Sequence, residues 1–338
     1  MKALVTGATG FVGSHLVRRL IADGWRVVAT KRRRSSLEHL PASQIDFVEW
    51  DVSSEPSEEL EKALAEVDIV FHLAGVIKSL NKDDFYRINF EGTRLLYGMA
   101  SKHGNIKRFV FFSSQAAAGP SPTVEGIDES APCKPVCHYG RSKMLAEIFL
   151  AAKEACPFTI IRPPVVFGEK DPATGELFRA VAKGWRFRIA GFLKAISLVY
   201  VEDLVEGVIS AATAEIAKGR TYFFCYDEPV SLDGFFDLIE DAFDGMADGK
   251  KRLVRRLTVT AAEVKFFAAL AHLFGSVFGF VPSLNLYKLP HFAQRFWTIR
   301  CDRAKRELNF KPSFSIAESI RRTLQSYLDF KKRTNSSL

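Results

Sequence analysis

Short apolar runs alternate with segments of helical periodicity along the first half of the chain. Each run has the length of a strand and is rich in β-branched or aromatic residues, which is typical of buried strands. We predict strands at Lys2–Thr6, Arg26–Thr30, Ile45–Trp50, Val67–Leu73, Ile106–Ser114 and Phe158–Arg162. The segments between them predict helices at Phe11–Ala22, Glu58–Ala65, Asp83–His103 and Tyr139–Glu154. This alternation indicates a doubly wound α/β fold, in which helices cover both faces of a parallel sheet.

The pattern loosens after Arg162, and helices predominate in the second half. Two further strands are predicted at Leu198–Val201, which we expect to return to the main sheet, and at Thr221–Tyr226. The remaining helices are predicted at Glu176–Lys183, Glu202–Ala214, Leu232–Phe243, Thr260–Phe274, Cys301–Leu308 and Ile316–Phe330. We therefore expect a sheet domain at residues 1–162, rejoined by residues 195–225, and a smaller, mostly helical part at residues 163–194 and 226–330. Residues 331–338 are expected to form a flexible polar tail.

A glycine-rich turn joins the first predicted strand to the first predicted helix. Its sequence is Thr6-Gly7-Ala8-Thr9-Gly10-Phe11-Val12-Gly13. The glycines let the backbone turn sharply and approach a pyrophosphate, whose charge then lies at the helix N-terminus. A glycine triplet alone is a weak signal, but this one follows a strand and opens a helix. We therefore predict a dinucleotide site in the sheet domain, with a tight turn that binds no ligand as the alternative.

A run of basic residues follows the second predicted strand. An acid at this place binds the ribose hydroxyls of NAD, whereas arginine accommodates the extra phosphate of NADP. The chain has Lys31 and then Arg32–Arg34, so we predict NADP, with NAD as the second possibility, and Arg32 as the contact. A solvated basic loop is the alternative.

The net charge of +8 is otherwise spread along the chain, apart from Lys250–Arg252. A positive excess can attract nucleic acid, anionic lipid or a phosphorylated ligand. Because a dinucleotide explains the first basic run and the second is interpreted as a solvated loop, we expect a small-molecule substrate and no nucleic acid.

Five irregularly spaced cysteines favour a reducing compartment, and we expect a cytoplasmic protein. Cys133, Cys137 and His138 could be metal ligands, but no second ligand pair follows, so we predict unpaired thiols and no metal. The first apolar stretch is broken by Gly7 and Gly10, which does not fit a signal peptide.

Tyr139 and Lys143 are four residues apart at the start of a predicted helix, which places them on one face. An ammonium beside a tyrosine favours the phenolate and lowers the pKa of the hydroxyl. Such a tyrosine can exchange a proton with a carbinol oxygen near neutral pH. Ser114 ends the fifth strand, at the edge where ligands of such folds bind, and its hydroxyl could hold the same oxygen. Asn89 is the other polar candidate.

Together these motifs resemble the extended branch of the short-chain dehydrogenase/reductase superfamily, the NAD-dependent epimerase/dehydratase family. The similar segments occur in the family's order: Thr6–Gly13, Asp51-Val52, His72–Gly75, Asn89, Ser113-Ser114, Tyr139–Lys143 and Arg162-Pro163, with looser likeness at Val199–Leu204 and Asp302–Pro312. The resemblance implies a Rossmann fold and a catalytic tetrad of Asn89, Ser114, Tyr139 and Lys143. Ser114 is preferred to Ser113 because it lies five residues before Gly119, which is the family's spacing.

The resemblance also implies roles in cofactor binding. Asp51 would contact the adenine, Lys143 the nicotinamide ribose, and the backbone around Pro163 the carboxamide. Together with the basic run, the expected cofactor contacts are Gly7, Thr9, Gly10, Phe11, Val12, Gly13, Lys31, Arg32, Asp51, Val52, Leu73, Ala74, Gly75, Tyr139, Lys143 and Pro163. Helices Asp83–His103 and Tyr139–Glu154 would pair in a homodimer.

The chain departs from the sugar-nucleotide epimerases of this family at two places. Those enzymes usually carry an acid after the second strand and a tyrosine just before the glycine that follows the fifth strand. Here these places are Lys31 and Ala118. The arginine-rich loop is more similar to the dihydroflavonol reductase and 3β-hydroxysteroid dehydrogenase subgroups, which puts a sugar-nucleotide substrate in doubt.

The segment Val264–Val281 combines helical spacing with an excess of phenylalanine. Its uncharged run is too short to span a bilayer, so no transmembrane segment is predicted there. A packed core helix is the default interpretation. The alternatives are a lid over an apolar substrate or a surface in peripheral contact with a membrane.

Three functions are compatible with the sequence. The leading hypothesis is an oxidoreductase that interconverts a ketone and a secondary alcohol, with Tyr139 as the acid/base. The second is a nucleotide-sugar epimerase or dehydratase that keeps its cofactor bound. The third is a dinucleotide-binding subunit without catalytic activity, which ranks last because the chain has both Tyr139 and Lys143.

Overall fold

Strands and helices alternate along the chain, as the hydrophobic pattern predicts. The computed structural model describes residues 1–189, 193–246, 254–278, 281–282 and 286–335. In chain order the strands are β1 (Lys2–Thr6), β2 (Arg26–Lys31), β3 (Ile45–Glu49), β4 (Ile69–His72), β5 (Arg108–Phe112), β6 (Phe158–Ile161), β7 (Val165–Phe167), β8 (Trp185–Ile189), β9 (Ala195–Ile196), β10 (Leu198–Tyr200), β11 (Arg220–Tyr222), β12 (Arg255–Val259) and β13 (Phe296–Trp297). The helices are α1 (Phe11–Ala22), α2 (Glu58–Glu66), α3 (Lys82–Tyr86), α4 (Gly92–Ala100), α5 (Gln115–Ala118), α6 (His138–Lys153), α7 (Pro172–Ala182), α8 (Val201–Thr213), α9 (Leu232–Met246), α10 (Ala261–Phe278), α11 (Leu289–Phe292), α12 (Asp302–Leu308) and α13 (Ile316–Asn335).

Seven of these strands form one parallel sheet in the order β11-β6-β5-β4-β1-β2-β3. The chain order reverses at β1, which pairs with β2 on one side and with β4 on the other. In such sheets ligands bind beyond the carboxyl ends of the strands at this reversal. The glycine-rich turn after β1 and the loop after β4 therefore border the same crevice.

Side chains of the central strands alternate between two apolar cores. On β1, Ala3 and Val5 belong to the core that includes residues of α1 and α8. Leu4 belongs to the core on the opposite face, together with residues of α2, α4 and α6. Because both faces are covered, these strands are continuous apolar runs. The structure confirms the predicted doubly wound α/β fold.

The prediction that Leu198–Val201 returns to the main sheet is wrong. β10 instead pairs with β7 in a separate two-stranded sheet. The place beside β6 is taken by β11, so that edge is closed to β10. Two further pairs, β8 with β12 and β9 with β13, also lie outside the main sheet.

The long helix predicted at Asp83–His103 has an irregular centre. α3 and α4 are joined by a π turn at Arg87–Glu91, in which the Gly92 N–H donates to the Arg87 carbonyl. A π turn contains one more residue than a regular helical turn and often marks a functional site. Asn89 lies in the middle of this turn.

Some predictions fall on residues that the structure does not describe. Lys250–Arg252 lies outside the described residues, as do positions 279–280 of the phenylalanine-rich segment. α13 continues to Asn335 and so includes residues 331–335 of the expected flexible tail, whereas residues 336–338 are outside the described ranges.

Candidate active site

The glycine-rich turn lies against its neighbours too closely to admit side chains. Gly7 has a φ of +72°, and a Cβ there would lie 2.7 Å from the Ala74 nitrogen. A Cβ on Gly13 would lie 2.1 Å from the Gly7 carbonyl oxygen. Gly10, the N-cap of α1, makes no side-chain capping bond, which leaves the first helical N–H groups available to an anion. This turn therefore fits a pyrophosphate.

A cavity of about 920 Å³ adjoins the ends of β2 and β3. Burial raises the pKa of Asp51, but hydrogen bonds from Ser53 and the charges of Arg32 and Arg87 outweigh this effect and lower it below its usual value. The buried Trp50 Nε1 has no hydrogen-bond partner within the described residues. The cavity is lined by Arg32, Arg33, Arg34, Glu49, Trp50, Asp51, Ser54, Glu55 and Ser57. It thus brings Arg32 and Asp51 together, whereas Lys31 lies just before it as the last residue of β2.

The loop after β4 brings the glycine-rich turn next to the polar centre of the site. The Ala74 N–H donates to Thr6 Oγ1 (3.1 Å) at the end of β1. A Cβ on Gly75 would lie 2.8 Å from Asn89 Oδ1 and 3.2 Å from Lys143 Nζ. Gly75 therefore lets the loop pass directly beside both of these side chains.

α6 carries Tyr139 against the end of β5 because of a second close approach. A Cβ on Gly140 would lie 2.1 Å from the Ala116 carbonyl oxygen, so only glycine lets α6 and α5 meet at this distance. Cys137 caps the helix by accepting from the Gly140 N–H (3.4 Å). The Ser114 hydroxyl accepts from the Ala116 N–H (3.1 Å) and lies close enough to the Tyr139 hydroxyl to influence its pKa. Ser113 lies beside Ser114 but bonds Glu147 instead.

The expectation that Lys143 lowers the pKa of Tyr139 is not met in this structure. Burial raises the pKa of Tyr139 to about 12, and the hydrogen bond with Ser114 opposes the shift. Burial also lowers the pKa of Lys143 to about 8, opposed by the charge of Glu147. The Lys143 ammonium donates to the Phe112 carbonyl (2.8 Å) and lies 4.8 Å from the centre of the Phe111 ring. Desolvation is therefore the largest cause of the pKa shift at both side chains.

Asn89 is fully buried and holds the loop after β4 with both ends of its carboxamide. Its Oδ1 accepts from the Val76 N–H (2.8 Å), and its Nδ2 donates to the Val76 carbonyl (3.0 Å). The same Nδ2 donates to Ser142 Oγ (3.1 Å) on α6. Asn89 thus joins the π turn to the loop and to the helix that carries Tyr139 and Lys143.

A buried polar group behind the site was missed by the sequence reasoning. Glu147 lies one turn after Lys143 on α6 and forms an ion pair with Arg162 (2.6 Å), both side chains being buried. Arg162 also donates to Cys133 Sγ (3.0 Å). The i, i+4 spacing of Lys143 and Glu147 was the available signal, because it places both residues on the same face of α6.

Pro163 and Val52, two further predicted residues, each contact the start of a helix. The Pro163 carbonyl accepts from the Gln115 N–H (2.9 Å) at the start of α5. A Cβ on Gly92 would lie 2.5 Å from the Val52 carbonyl, so Val52 packs against the start of α4. A separate groove of about 1410 Å³, lined among others by Arg179, Arg322 and Tyr327, contains none of the predicted site residues.

The parallel sheet, the glycine-rich turn at its reversal and the hydroxyl pair at the end of β5 define a dinucleotide-dependent enzyme of the α/β class. Residues 3–223 match the model of the NAD dependent epimerase/dehydratase family. The chain belongs to this family, which confirms the resemblance drawn from the motifs.

Relatives of known activity include both reductases and epimerases. A 4-hydroxy-2-methyl-3-oxo-4-farnesyl-3,4-dihydroquinoline-1-oxide ketoreductase of Stigmatella aurantiaca is 28% identical over 320 residues, covering 92% of each chain. A ceramide reductase of Caulobacter vibrioides is 29% identical over 206 residues, covering 61% of this chain and 59% of the relative. The solved structure of UDP-glucose 4-epimerase from Thermotoga maritima has a TM-score of 0.76 at 20% identity and covers 98% of this chain and all of that one. At this identity the last likeness shows the fold alone.

Among the described residues, no helix has both the length and the apolar character needed to cross a membrane.

Proposed function

We propose that this enzyme is an NADP-dependent oxidoreductase that interconverts a ketone and a secondary alcohol. The observation that carries the proposal is the closeness of the Ser114 and Tyr139 hydroxyls on the side of the site that holds the buried Lys143. These three side chains lie at the strand ends that border the glycine-rich turn. Two hydroxyls that converge there can hold and protonate one carbonyl oxygen.

The site residues divide the proton chemistry between them. The bound nicotinamide supplies or accepts the hydride. Because the pKa of Tyr139 is raised to about 12, its phenol stays protonated at neutral pH and has a proton to give to a carbonyl oxygen. Ser114 orients that oxygen, and Lys143, with a pKa of about 8, holds the ribose hydroxyls and exchanges a proton near neutral pH. Asn89 keeps the loop after β4 in place.

The preference for NADP rests on the cavity at the end of β2. Arg32, Arg33 and Arg34 line it together with Asp51. Guanidinium groups bind phosphate oxygens in bidentate geometry, which suits a 2′-phosphate. We assign Asp51 to the adenine and Arg32 to this phosphate.

The substrate is proposed to be apolar, and residues 163–194 and 226–330 are proposed to bind it. His138, which precedes Tyr139, is in ring contact with Tyr287 (5.7 Å between centroids). Tyr287 is in turn in ring contact with His272 of α10 (5.5 Å). The phenylalanine-rich helix is therefore connected through Tyr287 to the residue beside Tyr139. Relatives that act on a farnesyl compound or on ceramide support an apolar substrate.

Three further proposals concern the location of the enzyme, its oligomeric state and its contact with membranes. We infer a cytoplasmic homodimer that pairs α4 and α6, and peripheral contact with a membrane through α10. On α10, Phe266 and Phe267 are 64% and 54% exposed, an unusual degree for large apolar side chains.

A nucleotide-sugar epimerase is the second candidate, because the matching family includes epimerases and the solved epimerase covers nearly the whole chain. It would use the same hydroxyl pair but would return the hydride to its own substrate. Net oxidation of NADPH therefore separates the two functions.

The test is a screen of NADPH oxidation against apolar ketones, aldehydes and nucleotide sugars. We expect steady oxidation with an apolar ketone and a loss of about 10²–10⁴-fold in kcat for Tyr139→Phe, the usual contribution of a proton-transfer group. Tyr327→Phe, in the separate groove lined by Arg179 and Arg322, serves as the matched control. An active Tyr139→Phe enzyme would overturn the mechanism, and turnover of a nucleotide sugar without net oxidation would favour the epimerase.

A further inference from the structure

His72 is the last residue of β4 and is completely buried. Its ring lies 5.9 Å from the centres of both Phe109 and Phe111 on the neighbouring strand. Both ring nitrogens are hydrogen-bonded: Nδ1 to Thr6 Oγ1 (2.7 Å) and Nε2 to Thr93 Oγ1 (2.9 Å). The mechanism proposed above makes no use of this polar side chain.

The proton positions in this group follow from the bonds at its two ends. Thr93 Oγ1 gives its only proton to the Asn89 carbonyl (2.8 Å), because a carbonyl can only accept. Thr93 must therefore accept from His72, so Nε2 carries the imidazole proton. A neutral imidazole has one N–H, which makes Nδ1 the acceptor of the Thr6 hydroxyl proton. The Thr6 oxygen in turn accepts from the Ala74 N–H (3.1 Å).

This chain of bonds connects two parts of the site that are distant in sequence. At one end is Ala74, whose nitrogen lies where a Cβ on Gly7 would clash. At the other end is the carbonyl of Asn89 in the π turn. Each hydrogen bond from Ala74 through Thr6, His72 and Thr93 to Asn89 has a defined donor and acceptor. This series of hydrogen bonds therefore holds its two ends, the Ala74 N–H and the Asn89 carbonyl, in a fixed arrangement.

The surroundings of His72 keep its ring neutral. Burial lowers the pKa of His72 to about 3, and the charge of Lys143 acts in the same direction. A protonated His72 would be repelled by the Lys143 ammonium. Its Nδ1 would then carry a proton, so Thr6 would have no acceptor for its own hydroxyl proton.

We propose that His72 is a positioning residue, which in its Nε2–H form holds the glycine-rich turn in register with the Asn89 turn. Through Asn89 it sets the loop that passes beside Lys143. The inference rests on the proposed function for the roles of Asn89 and Lys143. It differs from a space-filling role, in which any flat side chain of similar size would serve.

The test uses matched pairs of variants, Thr93→Val against Thr93→Ser and His72→Phe against His72→Gln. Thr93→Val keeps the shape but breaks the link to Asn89, whereas Thr93→Ser keeps the hydroxyl. We expect kcat to fall about tenfold or more in Thr93→Val and His72→Phe, as for other outer-shell partners, and Thr93→Ser and His72→Gln to recover most of the loss. Thr6→Val, at the cofactor end, should instead raise KM for the cofactor more than it lowers kcat.

Two further measurements test the proposal, one spectroscopic and one kinetic. Selective ¹⁵N-histidine labelling should show a His72 ring with its proton on Nε2 from pH 6 to 9. The double variant His72→Phe/Thr93→Val should be no slower than His72→Phe, because both substitutions remove the same hydrogen bond between His72 and Thr93. If His72→Phe does not fold, the Thr93 pair still provides the comparison.

An Nδ1–H ring, or a folded Thr93→Val enzyme as fast as Thr93→Ser, would overturn the inference. Either result can occur while Tyr139→Phe is inactive, in which case the proposed function stands. If Tyr139→Phe retains activity, the proposed function fails, and the histidine spectrum still reports on the bonds of His72.

Discussion

The catalytic half of the molecule and the helix α10 use burial in opposite ways. Around β4, β5 and α6, polar side chains are buried: Lys143 is only 3% exposed and Asn89 and His72 are fully buried. On α10, large apolar side chains are exposed, with Phe266 at 64% and Leu270 at 40%. Buried polar groups and exposed apolar groups both cost stability unless a partner compensates.

The compensating partners differ between the two regions. In the catalytic half they are internal, because Asn89, His72 and Lys143 each have hydrogen-bond partners on neighbouring elements. For the outer face of α10 the partner is proposed to be external, an apolar substrate or a lipid surface. On these proposals, the first region carries out the chemistry, whereas the second contacts the molecule or surface that brings the substrate.

The largest effect is expected from Lys143→Met, which removes the buried cation. Activity should fall at least about 100-fold, within the range for proton-transfer groups. Folding lowers the pKa of this lysine from 10.5 to about 8, so at pH 7 the charge costs the folded state about 3 kcal/mol at ~1.4 kcal/mol per pKa unit. The unfolded chain binds more protons between these two pKa values, so wild-type stability rises as pH increases from about 8 to 10.5.

Lys143→Met should lose this pH-dependent rise. Urea unfolding at pH 7 and pH 10 measures it, with Lys62→Met, an exposed lysine of α2, as the control. Parallel stability curves for wild type and Lys143→Met would show that the lysine is less desolvated than its burial indicates.

An intermediate effect is expected from Arg32→Ala at the edge of the cavity. Loss of a charge-assisted bond costs about 1.5–3 kcal/mol, so the Kd for NADPH should rise at least about tenfold while that for NADH changes little. Arg26→Ala, exposed at the start of β2, is the control. Equal weakening of both cofactors in a fluorescence titration would mean that Arg32 does not contact the extra phosphate.

The smallest effect is expected from Phe266→Ser and Phe267→Ser on the exposed face of α10. Each should weaken binding to anionic vesicles about threefold or more, since interfacial binding scales with the apolar area buried. Ile216→Ser, which removes a comparably exposed side chain (52%) elsewhere, should have no effect in the same flotation assay. If wild-type protein does not bind vesicles, but Phe266→Ser raises KM for an apolar ketone, the partner of α10 is the substrate.

Local pattern was sufficient to predict the first half of the fold. β1 and α1 have the predicted bounds, because a strand, a glycine turn and an amphipathic helix follow one another in sequence. The pairing of β10 with β7 could not be predicted, since it joins segments whose patterns carry no information about their partner. The same holds for β8 and β12.

The residues of the candidate site could be predicted from the sequence, but the pKa shifts of its ionisable groups could not. Spacing placed Tyr139 and Lys143 on one face, and both lie there. The predicted lowering of the Tyr139 pKa was wrong in direction, because burial, which requires the folded structure, raises this pKa. The bonds of His72 to Thr6 and Thr93 were also out of reach, since they join β4 to β1 and α4.

The π turn at Arg87–Glu91 sets the rotational phase between α3 and α4. One residue advances a regular helix by about 100°, so the extra residue turns everything after Glu91 by this angle relative to an uninterrupted helix. Leu96 and Tyr97 point into the core under the sheet only in the present phase. A single inserted residue therefore has two effects. It forms the π turn that places Asn89 at the site, and it orients Leu96 and Tyr97 of α4 towards the core. The length of this segment is constrained even where its side chains are not.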